Sequence, residues 1–153
     1  MRNERYELEV ESDALVFAFT SIGTKGEIPK LVMYQETNVK DVYNLAFGDK
    51  NINTGDLNDE VITNNNDSQK VLATVAATVY AFMYKYPNAW VAATGSTKAR
   101  TRLYQMGISN NLKEITADFD VLGRKEGIWH QFEKNIAYDA FLIRRKKNRK
   151  WKI

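Results

Sequence analysis

A chain of 153 residues, 44% hydrophobic and 27% charged, is long enough for one domain with a buried core and has the balance of an ordinary globular protein. It has no cysteine and a single histidine, His130, which excludes disulfides, thiolate nucleophiles, cysteine-rich zinc sites and a histidine pair within one chain. The net charge of +3 is uneven: Arg144, Arg145, Lys146, Lys147, Arg149, Lys150 and Lys152 crowd one end, and without them the balance turns acidic.

The first residues, MRNERYELEVESD, lack the apolar region of a secretory signal. No apolar run approaches the roughly 18 residues of a membrane span. A cytoplasmic protein with no membrane partner is expected. Tyr6, Leu8 and Val10 alternate with Glu7, Glu9 and Glu11, the period of a half-buried strand. Residues 14–22, ALVFAFTSI, are rich in aromatic and β-branched types and predict a more central strand. The turn signal GTKG at 23–26 joins it to a third strand, with Pro29 near its start and residues 31–35 continuing it. Asn38 opens a turn, and Tyr43, Leu45 and Phe47 mark a fourth strand that ends at Gly48-Asp49.

Residues 49–66 are polar and rich in Asn and Asp, predicting a surface loop with a short strand at 60–63. Asp49, Asn51, Asn53 and Glu60 occupy positions one, three, five and twelve of a calcium loop. Gly55 stands at position seven rather than six, so a solvated loop and no metal site is the expectation. Residues 68–86, SQKVLATVAATVYAFMYKY, are apolar nearly all round and predict a long, deeply packed helix. Asp67 or Ser68 would cap it, and Pro87 would end it.

Residues 89–108 organise the rest. A buried strand at 90–94 is followed by a turn at Gly95-Ser96 and a short helix over 97–106, with Gly107 as its stop and Ala99, Leu103 and Met106 as its buried face. The alternation of Ile115, Ala117, Phe119 and Val121 predicts a strand from 115. A hairpin turn at 123–127, a return strand at 128–132, a turn at Asn135 and a last strand at 138–144 complete the chain. There is no internal repeat and no linker. The order predicts a single α+β domain over 1–143, with a mostly antiparallel sheet of seven to eight strands, one long buried helix and one short basic helix. Residues 144–153 form a basic tail.

The turn into the basic helix is the best candidate site. Free N–H groups at a helix start attract anions, and Ser96 and Thr97 add hydroxyl donors. Lys98 and Arg102 share a face at i,i+4 and Arg100 lies to one side, giving an anion-binding set of Gly95, Ser96, Thr97, Lys98, Arg100 and Arg102. The alternative is an ordinary N-cap with the arginines paired to Glu114, Asp118 or Asp120. Arg144, Arg145, Lys146 and Lys147 are the candidate nucleic-acid contacts, or else a solvated end that favours solubility. His130, in a strand beside Trp129, and the pair Asp118 and Asp120 carry no catalytic assignment.

The run GSTKARTRLY, with the later pattern ITADFDVLG, W, F and YDAFLIRRK, resembles a family of short uncharacterised proteins from Bacteroidota-type bacteria. The likeness covers the second half of the chain, and that family lends no activity. The order of long helix, strand, and helix carrying Ala99, Leu103 and Tyr104 before Gly107-Ile108 is also similar to the C-terminal half of GNAT-type acetyltransferases. That resemblance implies a coenzyme A pyrophosphate cradle at residues 64–70, where this chain reads NNNDSQK without a glycine. It also implies a general-acid position at Tyr104; a packed tyrosine with its hydroxyl paired is the structural alternative.

The expected function is a non-catalytic binding domain, without a cofactor, for nucleic acid or a phosphate-bearing small molecule. The alternatives are an atypical GNAT-like acyl-CoA-dependent transferase and a partner-protein-binding component of a toxin–antitoxin or defence system.

Overall fold

The acidic alternation near the N-terminus yields only a two-residue strand. Glu9–Val10 (β1) pairs antiparallel with Val16–Gly23 (β2), whereas Tyr6 is drawn into the core. The Tyr6 N–H donates to Thr74 Oγ1 at 2.9 Å, so its backbone bonds the helix layer and not the sheet. Here and below, the computed structural model describes residues 4–11, 13–58, 62–94 and 97–147.

Gly26–Glu36 (β3) returns along β2 through a two-residue turn at Thr24-Lys25, and Val42–Lys50 (β4) returns along β3. Leu57–Asn58 (β5) pairs with the end of β4. The expected strand at 60–63 is absent at Ile62 and Thr63; residues 60 and 61 lie outside the described residues. Ser68–Lys85 (α1) then crosses to Trp90–Ala93 (β6), which runs parallel to β4 over Val42–Asn44. Lys98–Asn110 (α2) and Leu112–Asp118 (α3) precede Phe119–Lys125 (β7), Ile128–Gln131 (β8) and Ala140–Arg145 (β9). The sheet order is β1-β2-β3-β4-β6-β9-β7-β8, with β5 beside β4. β9 inserts between β6 and β7, and β4 with β6 is the one parallel pair among the described strands. This is the expected α+β domain with a mostly antiparallel sheet. Its nine strands exceed the expected seven to eight because β1 and β5 are only two residues each.

Strand alternation divides the sheet into two faces. Phe17 and Phe19 of β2, Val32 and Tyr34 of β3, Leu45 and Phe47 of β4, Val91 of β6, Ile143 of β9 and Val121 of β7 join one core with Val75, Val79, Phe82 and Met83 of α1. The Tyr34 and Phe82 rings stack at 4.2 Å, which adds about 1 kcal/mol beyond the area they bury. Thr74 and Thr78 fit this apolar helix because their hydroxyls bond the Lys70 and Val75 carbonyls, and Thr78 also meets the Tyr34 hydroxyl at 2.7 Å. On the opposite sheet face Val16, Met33, Ala46, Ala92, Leu122 and Leu142 are half-buried and Leu31 and Ala140 are buried, all outside this core.

Several boundaries differ from expectation for identifiable reasons. Asp67 occupies the N-cap of α1 but makes no side-chain cap, because its carboxylate accepts from the Tyr6 hydroxyl at 2.5 Å and from the Ser21 hydroxyl. Gly107 does not stop α2. A Cβ there would lie 3.1 Å from Leu72 Cδ2, so the glycine lets α2 approach α1 closely. The buried face of α2 is Arg100, Tyr104 and Ile108, one position round from Ala99, Leu103 and Met106. Residues 112–118 are helical, and the strand expected from Ile115 begins at Phe119. Gly123 lies inside β7 rather than in the turn, since a Cβ would overlap the Tyr138 ring.

Candidate functional site

The first turns of α1 and α2 end beside one another, and between them lies a cavity of about 410 Å³. α1 and its N-cap supply Asp67, Ser68 and Val71, so a carboxylate stands at that helix start; α2 and its cap supply Thr97, Ala99, Arg100, Arg102, Leu103 and Met106; Lys30 and the segment 62–65 close the floor. Thr97 is an N-cap with extended backbone, and its hydroxyl accepts from the Arg100 N–H at 3.2 Å. This local geometry sends Arg100 inward, where it is 6% exposed, while Arg102 one turn edge away stays at the surface.

The floor is a buried polar layer. Lys30, 1% exposed, is ion-paired with Asp49 and donates to the Thr63 carbonyl at 3.0 Å. The Asp49 carboxylate also takes the Thr63 hydroxyl at 2.5 Å and the Thr63 N–H at 3.2 Å, so its oxygens are committed to this layer. Asn65 is buried between hairpin and helix: its amide donates to the Gly26 carbonyl at 2.9 Å and to Ser21 at 3.1 Å, and its oxygen accepts from the Lys25 N–H at 2.6 Å. Burying such groups costs little only when each is bonded, and this layer meets that condition.

Tyr104, on the buried face of α2, has its pKa raised well above the ordinary 10.0 by burial, with the Arg100 charge acting in the opposite direction. Burial likewise raises Tyr34. A tyrosine held protonated this firmly is a poor base and a weak acid at neutral pH.

Of the sequence-derived anion set, Thr97, Arg100 and Arg102 line the cavity. Lys98 lines a neighbouring groove between α2 and the β7 hairpin, together with Arg102. Gly95 and Ser96 lie outside the described residues. Of the acidic partners considered for the arginines, Asp120 accepts from Arg144 at 3.0 Å, Asp118 accepts from the Tyr80 hydroxyl at 2.5 Å, and Glu114 is half-buried in the first turn of α3.

The basic end is not brought to this cavity. Arg144 and Arg145 belong to β9, and Arg144 pairs with Trp90 at the start of β6, the end remote from α2. Its guanidinium lies 4.6 Å from the Trp90 ring centre. Lys146 donates its N–H to the Asp118 carbonyl, and Lys147 is exposed. His130 is exposed in edge strand β8.

Sequence reading missed the floor residues Lys30 and Asn65. Lys30 had a signal: it shares parity with Val32 and Tyr34, so the β3 alternation already places a lysine at an inward position. Asn65 had none, because its burial follows from the docking of the long loop. Among the described residues there is no cluster of three or more acidic or histidine side chains arranged to hold a metal, and no helix long and apolar enough to cross a membrane.

Residues 2–146 match the model of DUF6934, a family of unknown function, and the chain belongs to that family. No curated protein and no solved structure matches the chain.

Proposed function

We propose that this protein is a small cytoplasmic binding domain that takes a phosphate-bearing ligand in the cavity between α1 and α2. One observation carries the reading: Arg100, 6% exposed, forms part of the wall of a cavity onto which two helix N-termini open. The partial positive charge of a helix start and a guanidinium fork favour the same ligand chemistry, an oxyanion. Arg102 at the rim and Thr97 extend the cationic and hydroxyl lining. The absence of cysteine fits a reducing compartment.

Calorimetric titration with inorganic pyrophosphate and with a short single-stranded RNA tests this. Wild type should bind at least one of them. Arg102→Ala should weaken binding roughly tenfold, the worth of one charge-assisted contact, and Arg100→Lys should also weaken it by removing the bidentate fork. Lys98→Ala, which alters the neighbouring groove, should change it less. Wild-type protein that binds neither probe, or variants that bind as well as wild type, would sink the assignment.

A second reading, an atypical acyl-CoA-dependent transferase, draws support from the element order. α1, β6 and α2 follow one another in the long helix, strand, helix order of the GNAT-type likeness. The glycine-free sequence at 64–70 and the bonding of Asp67 to Tyr6 and Ser21 stand against a cradle of the usual kind. Thermal shift with coenzyme A separates the two readings: stabilisation by coenzyme A well beyond that given by pyrophosphate favours the transferase.

A further inference from the structure

We propose, resting on the phosphate reading of the same cavity, that its ligand is a nucleoside monophosphate whose base carries an exocyclic amino group, and that Asp67 reads this group. The two helix starts at the cavity are not equivalent. Asp67, at the N-cap of α1, lines the cavity with a carboxylate, which repels a phosphate. At the start of α2 stand Thr97 and Arg102, which attract one, and Arg102 has no ion-pair partner among the described residues. The phosphate therefore belongs at the α2 end, and the far end of the ligand meets Asp67.

Asp67 is held as an acceptor. Its Oδ2 takes the hydroxyl protons of both Tyr6 and Ser21. Those donors are fixed in turn: the Ile22 N–H donates to the Tyr6 hydroxyl at 3.0 Å, and the Asn65 amide donates to Ser21 at 3.1 Å. The side chain is thereby kept from capping α1, and its Oδ1 accepts from none of the described residues. A carboxylate oxygen oriented in this way and left to a cavity takes an N–H donor from the ligand. Ile62, Val71, Leu103 and Met106 give the cavity an apolar wall, and its volume of about 410 Å³ suits a small, flat organic body. An amino-bearing nucleotide meets all three demands: a phosphate for Arg102, a ring for the apolar wall and an N–H for Asp67 Oδ1. Inorganic phosphate or a sugar phosphate meets only the first.

Calorimetric titration of the full chain with matched nucleotides tests this. The probes are adenosine monophosphate, its analogue lacking only the amino group, inosine monophosphate and ribose phosphate. Wild type should bind adenosine monophosphate about tenfold more tightly than the analogue, the worth of one hydrogen bond to a charged acceptor. Asp67→Asn puts a donor where the carboxylate oxygen stood, so the variant should prefer inosine monophosphate, with an oxo group in place of the amino group, and should still bind ribose phosphate. Melting temperature reports that the variant keeps its fold, and the wild-type ratio between the matched nucleotides needs no variant. Wild type that binds ribose phosphate without distinguishing the matched nucleotides overturns the inference and leaves the phosphate reading standing. A preference for adenosine monophosphate that survives Asp67→Asn overturns it as well, since the amino group would then be read elsewhere. Binding of none of the four also overturns it, and the pyrophosphate and RNA titrations then decide the phosphate reading separately.

Discussion

At the scale of the residue, the informative positions are those where a side chain stands against its type. Lys30 sits where a valine would be unremarkable, and Gly107 sits inside a helix where alanine would be favoured. The first was legible from parity along β3. The second was not, because the close approach of Leu72 to Gly107 exists only once α1 and α2 have met. The buried tyrosines give a prediction with a definite sign. Burial raises the pKa of Tyr34 and Tyr104 above the ordinary 10.0, so the folded chain keeps protons that the unfolded chain gives up. Stability should therefore be insensitive to these groups below pH 10 and fall as pH rises beyond it, by at most about 1.4 kcal/mol per pH unit for each tyrosine. Urea unfolding between pH 8 and 11 measures this. Tyr34→Phe should cost about 1 kcal/mol at pH 8 through its lost bond to Thr78 and should flatten the alkaline fall; an unchanged slope would refute the assignment.

At the scale of the element, the hairpins and the long helix were readable because their patterns are local. Alternation with turn chemistry located β2, β3, β4 and the β7–β8 hairpin, and a continuous apolar run ended by Pro87 located α1. The segment at 112–118 misled for a physical reason. Ile115 and Phe119 are spaced by four, which suits a strand face and a helix face equally. The stripe of Arg100, Tyr104, Ile108 and Ile115 is the helical signal that could have settled it, but it starts with an arginine and so does not look like a buried face. The loop before α1 shows the same limit: its composition announced a surface segment, whereas Thr63 and Asn65 tie it to the sheet. The Thr63 part of that tie is anchored on one ion pair, Lys30 with Asp49. Asp49→Asn should leave Lys30 buried without its countercharge and destabilise the chain by about 3–5 kcal/mol, and adding Lys30→Met should recover much of the loss. Chemical denaturation of the single and double variants decides it; additive losses would refute the pairing as the source.

At the scale of the whole molecule, sequence reading reached the class and the central place of residues 90–93. It could not say that the basic end and the turn into α2 lie apart, because this depends on β9 inserting beside β6. The same insertion has a temporal meaning. β1 to β4 are joined by short turns, and each pairs with the strand next to it in the chain. β6 is different: one edge awaits Val42–Asn44 from far earlier, and the other awaits Phe141–Arg144 from far later. Closing those long loops costs entropy before any contact rewards it. The N-terminal meander should thus gain amide protection first in pulse-labelled refolding, and β6 with β9 last; the reverse order would contradict the topology as its cause. Trp90, at the start of that seam, then serves as a clock: its burial marks the moment when two halves of a chain become one sheet.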